Sequence, residues 1–441
     1  MTSRERTQSF HLPLVSRHFC LFTSAAMERP SLWLMVIVLL LGLLFLREPR
    51  LQRSDEIFLH WLLKNSQLRN ARVPLTIVEI GRAGGGQTDN VDISPTERFL
   101  RGTAGVNSPL ESALFLQAAL EFKPTVFAFE PILQWPERVR EEEQIFIDQA
   151  MRVPKLLLAA ELTATPDPDA APQEIARFPR VTGRRGDLVE FSAIGRQPSE
   201  DVRLISTLGF INLPSEVAND IHVPLLFQYR GEVIPSFVLQ AILLWLRVTP
   251  EEVKIDIGKD VLLPQGRKIP IQSDGTLVIN PNAAKMARRL SLNELMLAAQ
   301  QHEQGKPTAQ FDDMRDQILL ARAPADLFAP PDVFAAAIAT IQTNSFVRRV
   351  SWIFDCIMIL SITALSGAAR KFSRIDLMLC AIAFSAAYCL IALGILNRWS
   401  IWLPGFLPLT TVWTVFLFSL ILPKPKDAAG TITMGASSPT L

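Results

Sequence analysis

Residues 125–160 read TVFAFEPILQWPERVREEEQIFIDQAMRVPKLLLAA, and the alternation inside them decides the fold class. Thr125 to Phe129 is an apolar run of strand length. Glu141 to Met151 is helical, with Ile145, Phe146, Ala150 and Met151 available to face a core. Lys155 to Ala160 (KLLLAA) is the next strand. Both strands are apolar throughout rather than at every second residue, so both of their faces must be covered. Upstream, Thr76 to Ile80 (TIVEI) reads as a third such strand, followed by a Gly- and Asp-rich loop. Ser108-Pro109-Leu110-Glu111 then opens a helix: Ser108 can cap, Pro109 suits the first position and Glu111 completes a capping box. That helix is expected to reach Phe122 and to stop before Pro124. Strand and helix in alternation, with buried strands, imply an α/β fold with a mixed or mostly parallel sheet and covering helices.

Downstream the pattern is interrupted and then resumes. Thr165 to Pro172 is a proline-broken surface loop, and Leu204 to Leu213 returns to the core. Ile234 to Arg247 is apolar nearly all round and too short to span a bilayer, so it reads as a buried helix. Val253 to Ile257, Val261 to Leu263, Lys268 to Ile271 and Thr276 to Asn280 are short strands, with Pro264-Gln265-Gly266 and Asp274-Gly275 as hairpin turns. Ser291-Leu292-Asn293-Glu294 is a second capping box, opening a helix to about His302. Gln317 to Ala321 is a last strand and Asp332 to Thr343 a last helix of this domain.

Four apolar runs lie outside it: Ser31 to Leu46, Val350 to Ala368, Leu377 to Leu396 and Ile401 to Leu422. A bilayer span takes about 17–25 apolar residues. The last three runs meet that, with Asp355 as their one charge near an end. The first becomes adequate once Ala25 to Pro30 and snorkelling arginines are counted. It continues into Arg47-Glu48-Pro49-Arg50, a poor cleavage site, so it reads as an uncleaved anchor. The expected organisation is a disordered or misassigned start (1–26), an anchor (27–49), a large domain (50–348), three spans (350–368, 377–396 and 401–422) and a short tail (423–441). Four transmembrane helices thus accompany the α/β domain.

Charge orients this layout weakly. Arg29, Arg370, Lys371, Arg374, Lys424 and Lys426 fall on the side of the termini; Arg47, Arg50, Arg53, Arg348, Arg349 and Arg398 balance them on the domain side. The dense Arg370–Arg374 cluster favours cytoplasmic termini. The net charge of +1 gives no field toward nucleic acid, and none is expected as a partner. The large domain contains no cysteine, which excludes a disulfide framework and a cysteine-type zinc site there.

Chemistry-bearing candidates are few. Gly84-Gly85-Gly86 follows a strand but lacks the phosphate-loop spacing, so a flexible loop is the reading. His60, His222 and His302 are scattered. Glu130 ends a parallel strand, where clefts of open α/β sheets form, and Glu79 holds the equivalent place; capping of a neighbouring turn is an equal alternative for each. Glu141-Glu142-Glu143 complements a helix dipole. Asp355 is costly in a span unless paired, with Arg348 or Arg349 as the expected partner. Ala383 and Ala387 are spaced for close helix packing, within the chain or in a homodimer. No nucleophile–base pair or metal constellation appears; neither enzyme activity nor a cofactor is expected.

The order of these elements resembles the second type of CHASE domain, an extracellular sensory module of bacterial receptors with one span before it and two or three after it. The resemblance covers roughly residues 50–422. It rests on Thr125 to Glu130, on Gln144 to Leu158 with Asp148, and on Leu290 to Leu295 and Gln317 to Leu320. Most specific is Ile269-Pro270 ahead of Asp274-Gly275-Thr276-Leu277-Val278-Ile279-Asn280. The chain departs from the family at Gly81-Arg82-Ala83, Ala321-Arg322-Ala323-Pro324 and Phe334 to Ala337. The resemblance implies an extracytoplasmic ligand-binding domain of a bacterial inner-membrane protein, with Asp274 beside Glu79 and Glu130 as ligand-binding candidates. It implies signalling through a separate kinase, cyclase or other partner, since no output domain follows the last run. An envelope scaffold that binds another protein or wall component is the alternative.

Overall fold

The computed structural model describes residues 49–66, 72–81, 108–136, 139–165, 175–213, 221–306, 311–323, 332–368 and 373–421, with positions 36 and 40. The expected anchor (27–49) except for positions 36, 40 and 49, the glycine run at 84–86 and both ends of the chain lie outside these. The chain divides into two compact units. One comprises Leu63–Arg348 with Leu396–Ile401; the other comprises the residues up to Leu62, Arg349–Ile395 and those from Trp402 onward.

The first unit is built on a parallel six-stranded sheet. Its strands are β1 (Leu75–Glu79), β2 (Val126–Phe129), β3 (Leu156–Ala160), β4 (Thr207–Phe210), β5 (Arg288–Ser291) and β6 (Ile318–Arg322), in the order β5-β1-β6-β2-β3-β4. Helices follow in chain order: α1 (Pro49–Asn65), α2 (Pro109–Leu120), α3 (Arg140–Ala150), α4 (Phe237–Leu246), α5 (Leu292–Glu303) and α6 (Val333–Gln342). The expected α/β class is present. β1, β2, β3 and β6 are buried at every position but the last of β1, as strands covered on both faces must be. Phe127, Phe129 and Leu319 pack against α2, α3 and α5 on one face; Ile77, Ala128 and Leu320 pack against α4 and α6 on the other.

Local signals account for most helix ends. Ser291 and Glu294 form the expected capping box at α5. At α2 the box does not close: Ser108 Oγ accepts from the Leu110 N–H and donates to Glu142, leaving Glu111 out. In α3, Phe146 and Ala150 enter the core, whereas Ile145 and Met151 are exposed. Strand β5 was not expected. Its Arg288-Arg289 start suits a sheet edge, where no continuous apolar run is needed.

The segment between β4 and β5 forms smaller sheets over α4. Lys254–Asp256, Asp260–Leu262 and Lys268–Pro270 are antiparallel neighbours, and Pro264–Gly266 turns between the last two as expected. Asp274-Gly275 does form a turn but closes no hairpin: Thr276–Val278 pairs with His222–Pro224 instead. Helix α4 rests on the backbone of β4. A Cβ added to Gly209 would lie 2.8 Å from Phe237 Cα, a backbone atom, and 2.9 Å from Cδ2 of the same buried ring. Gly209→Ala is therefore expected to cost about 1–3 kcal/mol by overpacking, read as a lowered unfolding midpoint. An unchanged midpoint would mean that α4 can lift from the sheet freely.

The second unit contains the start of α1 and three further helices: α7 (Trp352–Ala368), most of α8 (Arg374–Trp399) and α9 (Phe406–Ile421). Among the described residues one helix, Ile375–Trp399, is long and apolar enough to cross a membrane. The runs expected to span at 350–368 and 401–422 form helices of 17 and 16 residues. The latter starts late because Ile401-Trp402 is extended and Pro404-Gly405 precedes Phe406. Ile362 and Val415 are buried between these helices, with Met358, Leu377, Phe384 and Val412 packed around them.

Candidate functional site

Three neighbouring strands of the sheet are apolar until their carboxyl ends and then turn to charge. Glu79 ends β1, Arg322 ends β6 and Glu130 follows β2. Glu79 and Arg322 are register partners. The Glu130 N–H donates to Ala321 O at 2.9 Å, which holds Glu130 alongside Arg322 on the other flank. Side chains alternate along a strand, so Glu79 and Arg322 share the face of Ile77 and Leu320, beneath α6. Glu130 continues the alternation of Val126 and Ala128 onto that face. Arg289 of β5 lies on it too, because its neighbour Leu290 packs against the opposite helices.

Asp332 completes the group. It sits at the N-cap of α6, yet its carboxylate makes no capping bond to its own helix. It pairs instead with both Arg289 and Arg322. The Arg322 side chain is only 9% exposed, and its Nε finds no hydrogen-bond partner among the described residues. A guanidinium so deeply set is costly unless compensated, and one carboxylate shared between two arginines compensates incompletely. Burial pushes the Glu130 carboxyl above its ordinary range, while Arg322 pulls it partly back.

That shift fixes the sign of a pH effect. Native Glu130 holds its proton to higher pH than the unfolded chain does. Its contribution to stability is fully present below the ordinary value of 4.5 and is lost as pH rises through the native value. Glu130→Gln should therefore raise the midpoint near neutral pH and leave it little changed below about pH 4. Thermal unfolding at both pH values checks this; an equal change at the two would assign the effect to packing.

The other expected ligand contact does not join this group. Asp274 Oδ1 accepts from the Thr276 N–H at 3.0 Å and from its hydroxyl at 2.7 Å. Its carboxylate is spent on holding a turn that Gly275 completes at φ +77°. The sheet does have the feature that made Glu130 a candidate: α2 and α3, which follow β1 and β2, lie on one face, whereas α6, which follows the β6 between them, lies on the other. The charges gather at these strand ends through Asp332 at the start of α6. Sequence reasoning passed over Arg322, Arg289 and Asp332. The available signal was a repeat: three buried strands each ending in a charged residue.

The second unit holds its own charged group. Arg349 Nη2 lies 3.4 Å from Asp355 Oδ2 and 3.5 Å from Asp55 Oδ2. Both carboxylates are buried, and Asp355 thus has one of its expected partners. Asp55 Oδ1 also accepts the Phe406 N–H at 2.8 Å, so a side chain of α1 caps α9. The Arg349 guanidinium lies over the Trp402 ring. Tyr388 of α8 donates its hydroxyl to Pro404 O. Ala383 and Ala387 are exposed on α8 among the described residues. Among the described residues no three His, Cys, Asp or Glu side chains converge to hold a metal. No protein-family model, no curated protein and no solved structure matches this chain.

Proposed function

We propose that the chain is a membrane-anchored sensory protein whose α/β unit binds a small ligand at the carboxyl ends of β1, β6 and β2. One observation carries this reading. Arg322 and Glu130 are set into the protein at strand ends and Asp332 at the start of α6, where they cost stability, and a fold has no structural need of that charge there. The resemblance to the second type of CHASE domain supports the same role and supports a position of the unit outside the cytoplasm.

Membrane anchoring is part of the proposal, by an N-terminal span and three C-terminal ones. It is supported by the exposure of apolar side chains on α7 and α8, among them Ile353, Ile357, Leu360, Leu379, Leu390 and Ile391. Side chains of that kind in water would form a patch larger than most monomers tolerate; in lipid they are at home. Trp399, exposed at the end of α8, suits the membrane–water interface.

The test is a thermal-shift screen of the purified full chain in detergent against a small-metabolite library. The expected result is a compound that raises the midpoint in wild type and not in Arg322→Lys. If no compound does so while a pulldown recovers a stable envelope protein, the scaffold reading replaces this one. A periplasmic reporter fused to the C-terminus reads orientation: activity there would reverse the proposed topology.

A further inference from the structure

Resting on that reading, we infer that the ligand is a small zwitterion of the α-amino acid class, and that its carboxylate competes with Asp332 for Arg322. Three observations converge. Arg322 is buried, planar and forked, and its Nε–H is unsatisfied among the described residues, so the site has capacity for a bidentate oxyanion that Asp332 leaves unused. Glu130 stands one strand away, on the order of 4.8 Å in a parallel sheet, with Glu79 on the opposite flank of the same arginine. An ammonium beside a carboxylate matches a Glu beside an Arg. A simple anion would meet Glu130 and Glu79 unfavourably, and a simple amine would meet Arg322 and Arg289.

Asp332 supplies the internal competitor. Its carboxylate occupies the arginines in the absence of any ligand, at the expense of capping α6. When a ligand carboxylate takes Arg322, Asp332 is released. It then becomes available to the first N–H groups of α6, which it does not serve now. Ligand arrival is thereby converted into a change at the N-terminus of the helix that precedes α7 in the chain. No bond is made or broken; one ion pair is exchanged for another.

The experiment uses the full chain in detergent, with isothermal titration and thermal shift. The probes are the common α-amino acids, each set against its carboxylic acid without the amine and its amine without the carboxylate. At least one amino acid should raise the midpoint by on the order of 5 °C at a hundredfold excess over Kd, with both halves inactive. Glu130→Gln, which keeps the shape and is expected to fold, should abolish the heat of binding. Asp332→Asn should bind roughly tenfold more tightly if the internal pair is closed about nine-tenths of the time.

Equal binding of the carboxylic acid alone, or no loss in Glu130→Gln, overturns the zwitterion. Weaker binding in a folded Asp332→Asn overturns the competition. A different compound class that acts through Arg322 leaves the sensory reading standing and removes this inference alone.

Discussion

Arg322→Met is expected to destabilise the α/β unit by about 3–5 kcal/mol, the cost of stranding a buried charge when its partner is removed. Methionine matches the length of the arginine stem and keeps the packing. The loss therefore falls on charge rather than on volume. Asp332 would keep only Arg289, whose side chain is 42% exposed, and Glu130 would lose the cation that offsets its burial. The measurement is the unfolding midpoint of the full chain, with a drop of roughly 6–20 °C for a unit of this size. Adding Asp332→Asn should restore a large part of the loss, because the stranded carboxylate is then gone. A double-mutant cycle with no coupling would show that Arg322 and Asp332 do not share an ion pair.

Arg349→Met should act similarly in the second unit, at the lower end of that range. Arg349 is 42% exposed, so water screens part of what it does, and about 3 kcal/mol is expected. Two buried aspartates, Asp55 and Asp355, would then face each other without a cation. Asp355→Asn in the Arg349→Met background should recover stability. Asp55→Asn should recover it too, since an asparagine oxygen can still accept the Phe406 N–H. If neither does, the arginine acts through its stacking on Trp402 and not through charge.

Much of the sheet could be read from residues alone. β1, β2, β3 and β6 are buried on both faces, and burial of that kind leaves a continuous apolar run. β5 left none, because an edge strand can carry Arg288 and Arg289 toward solvent. Helix starts were legible where a side chain had one partner to choose, as at Ser291. They were misread where a distant residue competed, as Glu142 does for Ser108. Glu130 was visible as a charge closing an apolar strand. Its partners were not, since Arg322 lies almost two hundred residues further on and no local pattern links them. Asp274 drew notice for the family pattern around it, and that pattern encodes a turn.

The place of β6 bears on how the chain is made. It is the last of the sheet's six strands to be synthesised, yet it lies between β1 and β2, the first two of them. The Thr76 hydroxyl on β1 waits for Gln317, 241 residues later. At about 5–20 residues per second, that is roughly 12–50 s during which both strands keep an open edge. A ribosome stalled before residue 318 would release a chain with the edges of two mostly apolar strands unpaired, the form of intermediate most prone to aggregate and most in need of a chaperone.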